Sequence, residues 1–188
     1  YKRQNINNID DIRKLASGDE GGRTEYKLTT GQLERGMETL CAFLNGEGGT
    51  VLFGVADKGK IIGQEVSDKT KREIAEAIRF IEPFATIMVS YIGVPDTDKQ
   101  VIALSAEEQR YMRPFTYKGR AYQRIESVTS VMLQDKYNHL LMQRGGKYSW
   151  EAMPNPDLQV SDLDENVIIG AVRAGINCGR LPETTIRE

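Results

Sequence analysis

Cys41-Ala42-Phe43-Leu44-Asn45-Gly46-Glu47-Gly48-Gly49-Thr50-Val51-Leu52-Phe53-Gly54-Val55-Ala56-Asp57 is the stretch that decides the fold. Upstream of Asn45, Leu33, Met37, Leu40, Cys41 and Leu44 recur at helical spacing and form one apolar stripe. The segment 45–49 stops that helix. Residues 50–55 then run almost continuously apolar, as expected of a strand covered on both faces. A helix that leads directly into a buried strand requires a fold mixing both. The glycines between them do not make a phosphate loop, because no Gly-Lys-Ser/Thr follows. Nor do they make a dinucleotide fingerprint, since Val51 occupies the third glycine position and the order is helix to strand. Their expected role is conformational: positive φ and a tight entry into the sheet.

Working outward toward the N-terminus, residues 24–29 alternate as a strand does, and residues 17–22 read as a loop. Ile9, Ile12 and Leu15 support a short helix before it. Toward the C-terminus, residues 57–60 form a turn and residues 61–66 its hairpin partner. Ser67 or Asp68 caps a second helix with Ile74, Ile78 and Ile81 inward and Pro83 just past its end. Strands are expected at 87–94 and 100–105. A short hairpin is expected at 115–118 and 121–125, turning through Gly119-Arg120. Thr129 is expected to cap a third helix with Leu133, Tyr137, Leu140 and Leu141 facing inward. Residues 153–157 read as a linker, and Asp162 with Glu165 as a capping arrangement for a helix through Ala174. The expectation is an α+β fold, a mixed sheet of about six strands packed with three helices, plus a C-terminal linker and helix. It divides into an N-terminal polar segment (1–23), a main domain (24–145), and a linker with the start of a truncated C-terminal region (146–188). Tyr1 in place of Met suggests that the chain begins inside a longer one.

Apolar residues make up 39% of the 188 and charged residues 28%, in the range of ordinary globular proteins. The net charge of −2 supplies no global basic field, so any nucleic-acid contact must come from a local patch. Cys41 and Cys178 are the only two cysteines and fit no metal-ligand spacing. Cys41, on the helical stripe, is expected to be a buried inert thiol. The lack of a disulfide framework suits a reducing, cytoplasmic setting, and no apolar run is long enough to span a membrane.

Two clusters carry chemistry. Glu20, Glu25 and Asp57 lie on a loop and at the ends of two strands that can converge. Such a trio suits a hard divalent cation, Mg or Mn, and metal-assisted phosphodiester hydrolysis, with Lys27 steadying a phosphate oxygen. The competing view makes them solvated loop acids and a turn Asp. The second cluster is residues 109–124, where Arg110, Arg113, Lys118, Arg120 and Arg124 interleave with Tyr111, Phe115, Tyr117 and Tyr122, without one acid. Guanidinium groups for phosphates beside rings for bases are what a nucleic-acid surface needs. Its competitor is an amphipathic hairpin with packed tyrosines and solvated arginines. His139, the single histidine, lies on a helix beside leucines, has no partner for a triad, and reads as structural.

Together the blocks Glu25-Tyr26-Lys27, 41–57, Ile61-Ile62-Gly63 and Tyr117-Lys118-Gly119-Arg120-Ala121-Tyr122-Gln123-Arg124-Ile125-Glu126-Ser127 resemble the Schlafen AlbA-like domain, over residues 20–141. The resemblance implies a mixed α/β nucleic-acid-binding domain, in bacteria commonly at the N-terminus of proteins labelled transcriptional regulators. In animal Schlafens a related domain cleaves RNA with two glutamates and an aspartate, a pattern that Glu20, Glu25 and Asp57 fit. Tyr26 stands where the family has Phe, Gly21 where it has Ser, and Glu126 where it has Gly. Three functional expectations follow. The leading one is a DNA-binding module using Arg110, Arg113, Lys118, Arg120, Tyr122 and Arg124, with DNA favoured over RNA. The second is a metal-dependent endoribonuclease using Glu20, Glu25, Asp57 and Lys27. The third is an interaction module that forms a homodimer.

Overall fold

Asn8 opens the first helix by a reciprocal cap. Its side chain accepts from the Asp11 N–H at 2.9 Å, and the Asp11 carboxylate accepts from the Asn8 N–H. The helix is α1 (Ile9–Ala16). In this computed structural model, residues 6–18, 21–147 and 164–182 are described, and the chain divides into two units, 1–149 and 150–188.

In the first unit α1 is followed by β1 (Thr24–Lys27), α2 (Leu33–Leu44), β2 (Gly49–Phe53), β3 (Val55–Ala56), β4 (Lys60–Ile61) and α3 (Asp68–Ile78). Then come β5 (Ile81–Glu82), β6 (Ile87–Gly93), β7 (Gln100–Ala106), β8 (Thr116–Tyr117), β9 (Tyr122–Ile125), β10 (Val128–Val131) and α4 (Gln134–Lys147). The class is α+β. The central sheet has four strands in the order β1-β2-β7-β6, and β3–β4, β5–β8 and β9–β10 form separate two-stranded pairs. β1 and β2 are parallel, with α2 as the crossover between them, and the other central pairings are antiparallel.

Strand β2 has both faces covered, as its apolar run requires. Val51 and Phe53 pack with Met37, Leu40, Cys41 and Leu44 of α2 and Ile74 of α3. Leu52 turns to the opposite face with Ile12, Ala16 and Tyr26. Each large side chain buried this way contributes about 1.5–3 kcal/mol. Gly54, at φ 94°, breaks the alternation, so Val55 joins Leu52 rather than Phe53. The Tyr26 hydroxyl, absent from a Phe, donates to the Leu15 and Gly18 carbonyls at 3.1 and 2.7 Å and ties the end of α1 to β1.

Buried Asn45 links the end of α2 to two distant segments. Its amide donates to the Phe115 and Tyr122 carbonyls, both at 2.9 Å, and its carbonyl accepts from the Phe115 N–H at 2.7 Å. The 45–49 segment therefore serves as a strut for β8 and β9. Cys41 is fully buried, and burial pushes its thiol up to about 12, which keeps it protonated.

Three local expectations shift. The hairpin between β8 and β9 turns through Lys118-Gly119, one residue earlier than expected; both have positive φ, and Tyr117 and Arg120 exchange backbone hydrogen bonds at 2.8 and 3.0 Å. Thr129 caps no helix: it lies in β10 opposite Arg124, whose Nη1 donates to its hydroxyl at 3.0 Å. Helix α4 starts at Gln134 instead, and Leu133 and Leu141 are exposed rather than inward. In the second unit α5 (Glu165–Asn177) is capped by Asp164, which accepts from the Asn166 N–H at 2.9 Å. Asp162 and the 153–157 linker lie outside the described residues.

Candidate nucleic-acid interface

The basic stretch does not form one surface. Arg124 points inward from β9, and its side chain is only 4% exposed. Its Nη2 pairs with Glu25 Oε2 at 2.7 Å, its Nε donates to the Gly21 carbonyl at 2.9 Å, and its plane lies 5.2 Å from the Phe43 ring centre. With the bond to Thr129, the guanidinium is surrounded by protein acceptors, so it cannot reach a phosphate outside. Arg113 is also held: Nη2 donates to the Gly46 carbonyl at the end of α2 and to Glu108 at 3.1 Å. A cation at a helix C-terminus is favourably placed against the helix dipole.

The other cations lie outward. Arg110 is exposed, and its Nε pairs with Glu108 at 2.6 Å. That hydrogen bond is the main cause holding the Glu108 carboxyl below its usual range. Lys118 Nζ donates to both Glu34 oxygens, at 2.8 and 2.7 Å, which likewise holds Glu34 low. An ammonium has three donors, so one remains for a ligand. Arg120, exposed, carries no ion pair among the described residues. It follows the Lys118-Gly119 turn, whose first residue sits at φ 49°, a backbone conformation that disfavours Lys and presents it at the tip. Tyr122 is buried, not available for stacking. Its hydroxyl donates to Glu38 at 3.0 Å, and burial, aided by that bond, pushes its pKa up to about 12.

Further groups around this turn were not evident in the sequence. Lys118 lies 5.7 Å from the Phe80 ring centre, and its N–H donates to the Phe80 carbonyl at 3.1 Å. Phe80 is 53% and Phe84 83% exposed. Arg35, next to Glu34, and Arg79, next to Phe80, are also exposed. The available signal was Arg79-Phe80-Ile81-Glu82-Pro83-Phe84, where apolar rings alternate with the inward positions just beyond a helix end.

Of the acidic trio, Glu25 and Asp57 fall within the described residues. Glu25 pairs with Lys27 through one oxygen and with Arg124 through the other. Lys27 is nearly buried against Glu25, so it has no free reach to a phosphate. Asp57 is exposed in the short 3-10 turn after β3, and Glu20 lies outside the described residues. No group of three His, Cys, Asp or Glu among the described residues is arranged to hold a metal. A carboxylate already neutralised by two cations is a poor donor for a divalent ion, so Glu25 as found does not fit one.

No helix among the described residues is long and apolar enough to cross a membrane. A search of curated proteins returned no match. Among solved structures the chain is similar to the DIP2311 protein of Corynebacterium diphtheriae, at 14% identity and a TM-score of 0.49, over 93% of this chain and 40% of that one. It thus spans less than half the length of that protein. Residues 20–132, more than half of the chain, match the family described as Schlafen, AlbA_2, and the chain belongs to that family of nucleic-acid-binding domains.

Proposed function

We propose that the domain is the DNA-binding module of a bacterial transcriptional regulator and that it contacts phosphates through the β8–β9 turn. The observation that carries this reading is Arg120: an exposed guanidinium, without an ion pair among the described residues, on a turn closed by two backbone hydrogen bonds. A planar guanidinium offers paired donors that match a phosphate, and a fixed turn reduces the ordering needed to bind. Lys118 adds its third donor, and Arg110 a third exposed cation on the same stretch. Arg113 and Arg124 support the site by holding the stretch against α2 and β1, and Tyr122 packs beneath it.

This reading needs no metal. The nuclease alternative would require Glu25 to exchange two ion pairs for a cation, and no observation here favours that exchange. The reading is tested by anisotropy of a labelled DNA duplex titrated with the chain at low and moderate salt. Binding should weaken steeply as salt rises, because phosphate contacts release counterions. Absence of binding at low salt would contradict it.

A further inference from the structure

The β8–β9 turn borders an aromatic surface that phosphate contact alone does not explain. Residues 80–85 alternate: Ile81 and Ala85 are buried and Pro83 is partly buried, whereas Phe80, Glu82 and Phe84 face out. Phe84 is the most exposed large apolar side chain among the described residues. The segment is held along one edge by residues 116–118. Ile81 and Glu82 pair with Tyr117 and Thr116, and the Lys118 N–H donates to the Phe80 carbonyl. The rings therefore project from a pinned strand.

We infer that Phe80 and Phe84 are a stacking platform for unpaired bases of a single-stranded nucleic acid, whose phosphates lie on Lys118 and Arg120. This rests on the phosphate-contact reading and adds the form of the ligand to it. Bases in a duplex have their faces covered by their neighbours, and a duplex presents phosphates and groove edges that open rings do not engage. Unpaired bases expose a π-face that stacks on an aromatic ring whatever the sequence. The charges agree with this division. The cations stand on the turn beside Phe80, and Lys118 lies 5.7 Å from that ring. Between the rings stands the acid Glu82, a poor neighbour for a phosphate but tolerable beside a base.

The test compares a labelled oligothymidine with a duplex of equal length, by anisotropy, on wild type, the double variant Phe80→Ala with Phe84→Ala, and Arg120→Ala. The wild type should hold the single strand more tightly than the duplex. The double Phe variant should weaken single-strand binding by about 30-fold or more, with duplex affinity and salt slope unchanged. Phe84→Leu, which keeps an apolar side chain without a ring, should also weaken it. Both phenylalanines are exposed enough that the fold should survive, which a circular dichroism melt on the same samples checks. Single-strand affinity unchanged in the double Phe variant while Arg120→Ala weakens binding would overturn the platform and leave the phosphate contact standing. A wild type that binds no nucleic acid would overturn both.

Discussion

Arg120 and Arg124 are four residues apart in one basic stretch, yet Arg124 is among the most enclosed charges of the domain and Arg120 is exposed. The difference does not lie in the arginines. β9 carries Arg124 over the Phe43 ring and against Glu25, an acid 99 positions earlier in the chain. Arg120 follows a two-residue turn at the surface, and its side chain meets no acid among the described residues. The same residue type is therefore a fastener at one end of the stretch and a candidate ligand contact at the other. What distinguishes them is the distant acid that the fold brings near, or fails to bring.

The largest effect expected is on the enclosed end. Arg124→Ala leaves the nearly buried Glu25 with one cation in place of two and the Gly21 and Thr24 carbonyls with fewer donors. Removing one member of a buried pair should destabilise the domain by about 3–5 kcal/mol, read by urea unfolding. A loss under about 1 kcal/mol would break the comparison, since surface pairs are worth no more than that. Arg120→Ala should be its mirror image: stability within about 0.5 kcal/mol of wild type, with weaker DNA binding.

Glu34 sharpens the contrast, because it restrains the exposed end. Glu34→Gln should release Lys118 and tighten DNA binding several-fold, measured by anisotropy at low salt. The pH sign follows from the same pair. Lys118 holds the Glu34 carboxyl below its usual range, so the pair's contribution is present above the unfolded-state value. It is lost only as pH falls through the lowered folded-state value. At the pH where a free Glu is half protonated, Glu34 should therefore still be mostly charged and hold Lys118, with the release of Lys118 for DNA coming only at lower pH. A smaller effect is expected at the other hairpin, where Glu126 sits at φ 54° in the turn between β9 and β10. Glu126→Gly should raise stability by about 0.5–1 kcal/mol, since only Gly adopts that backbone freely.

Much of the framework was legible because it is written in periodicity. The α2 stripe and the apolar run of β2 specify a helix leading into a two-faced strand, and both are found. The family resemblance was carried by the same residues. Thr129 was misread because a threonine before a helical pattern looks like a cap, and nothing local says that β9 will pair with it. The basic stretch was legible as charge but not as surface: Glu108, which pairs with Arg110 and Arg113, adjoins it, but Glu25 and Glu34, which hold Arg124 and Lys118, are 80 or more positions away in the chain. The Arg124 partner of Glu25 is hidden in the same way, since it lies on β9 far along the chain. Phe80 and Phe84 were passed over because a ring just past a helix end usually packs inward, and only the pinned β5 shows that these two do not. The φ of Glu126 explains what the resemblance could only note as a departure, a residue standing where Gly is favoured.

The most direct test is the salt dependence of duplex DNA binding for wild type and for Lys118→Ala with Arg120→Ala, both checked for an unchanged melt. Removing two phosphate contacts should weaken binding at every sequence and flatten the slope of log affinity against log salt by about 1–2. An unchanged affinity and slope in that variant would mean that the β8–β9 turn is not where the domain meets nucleic acid.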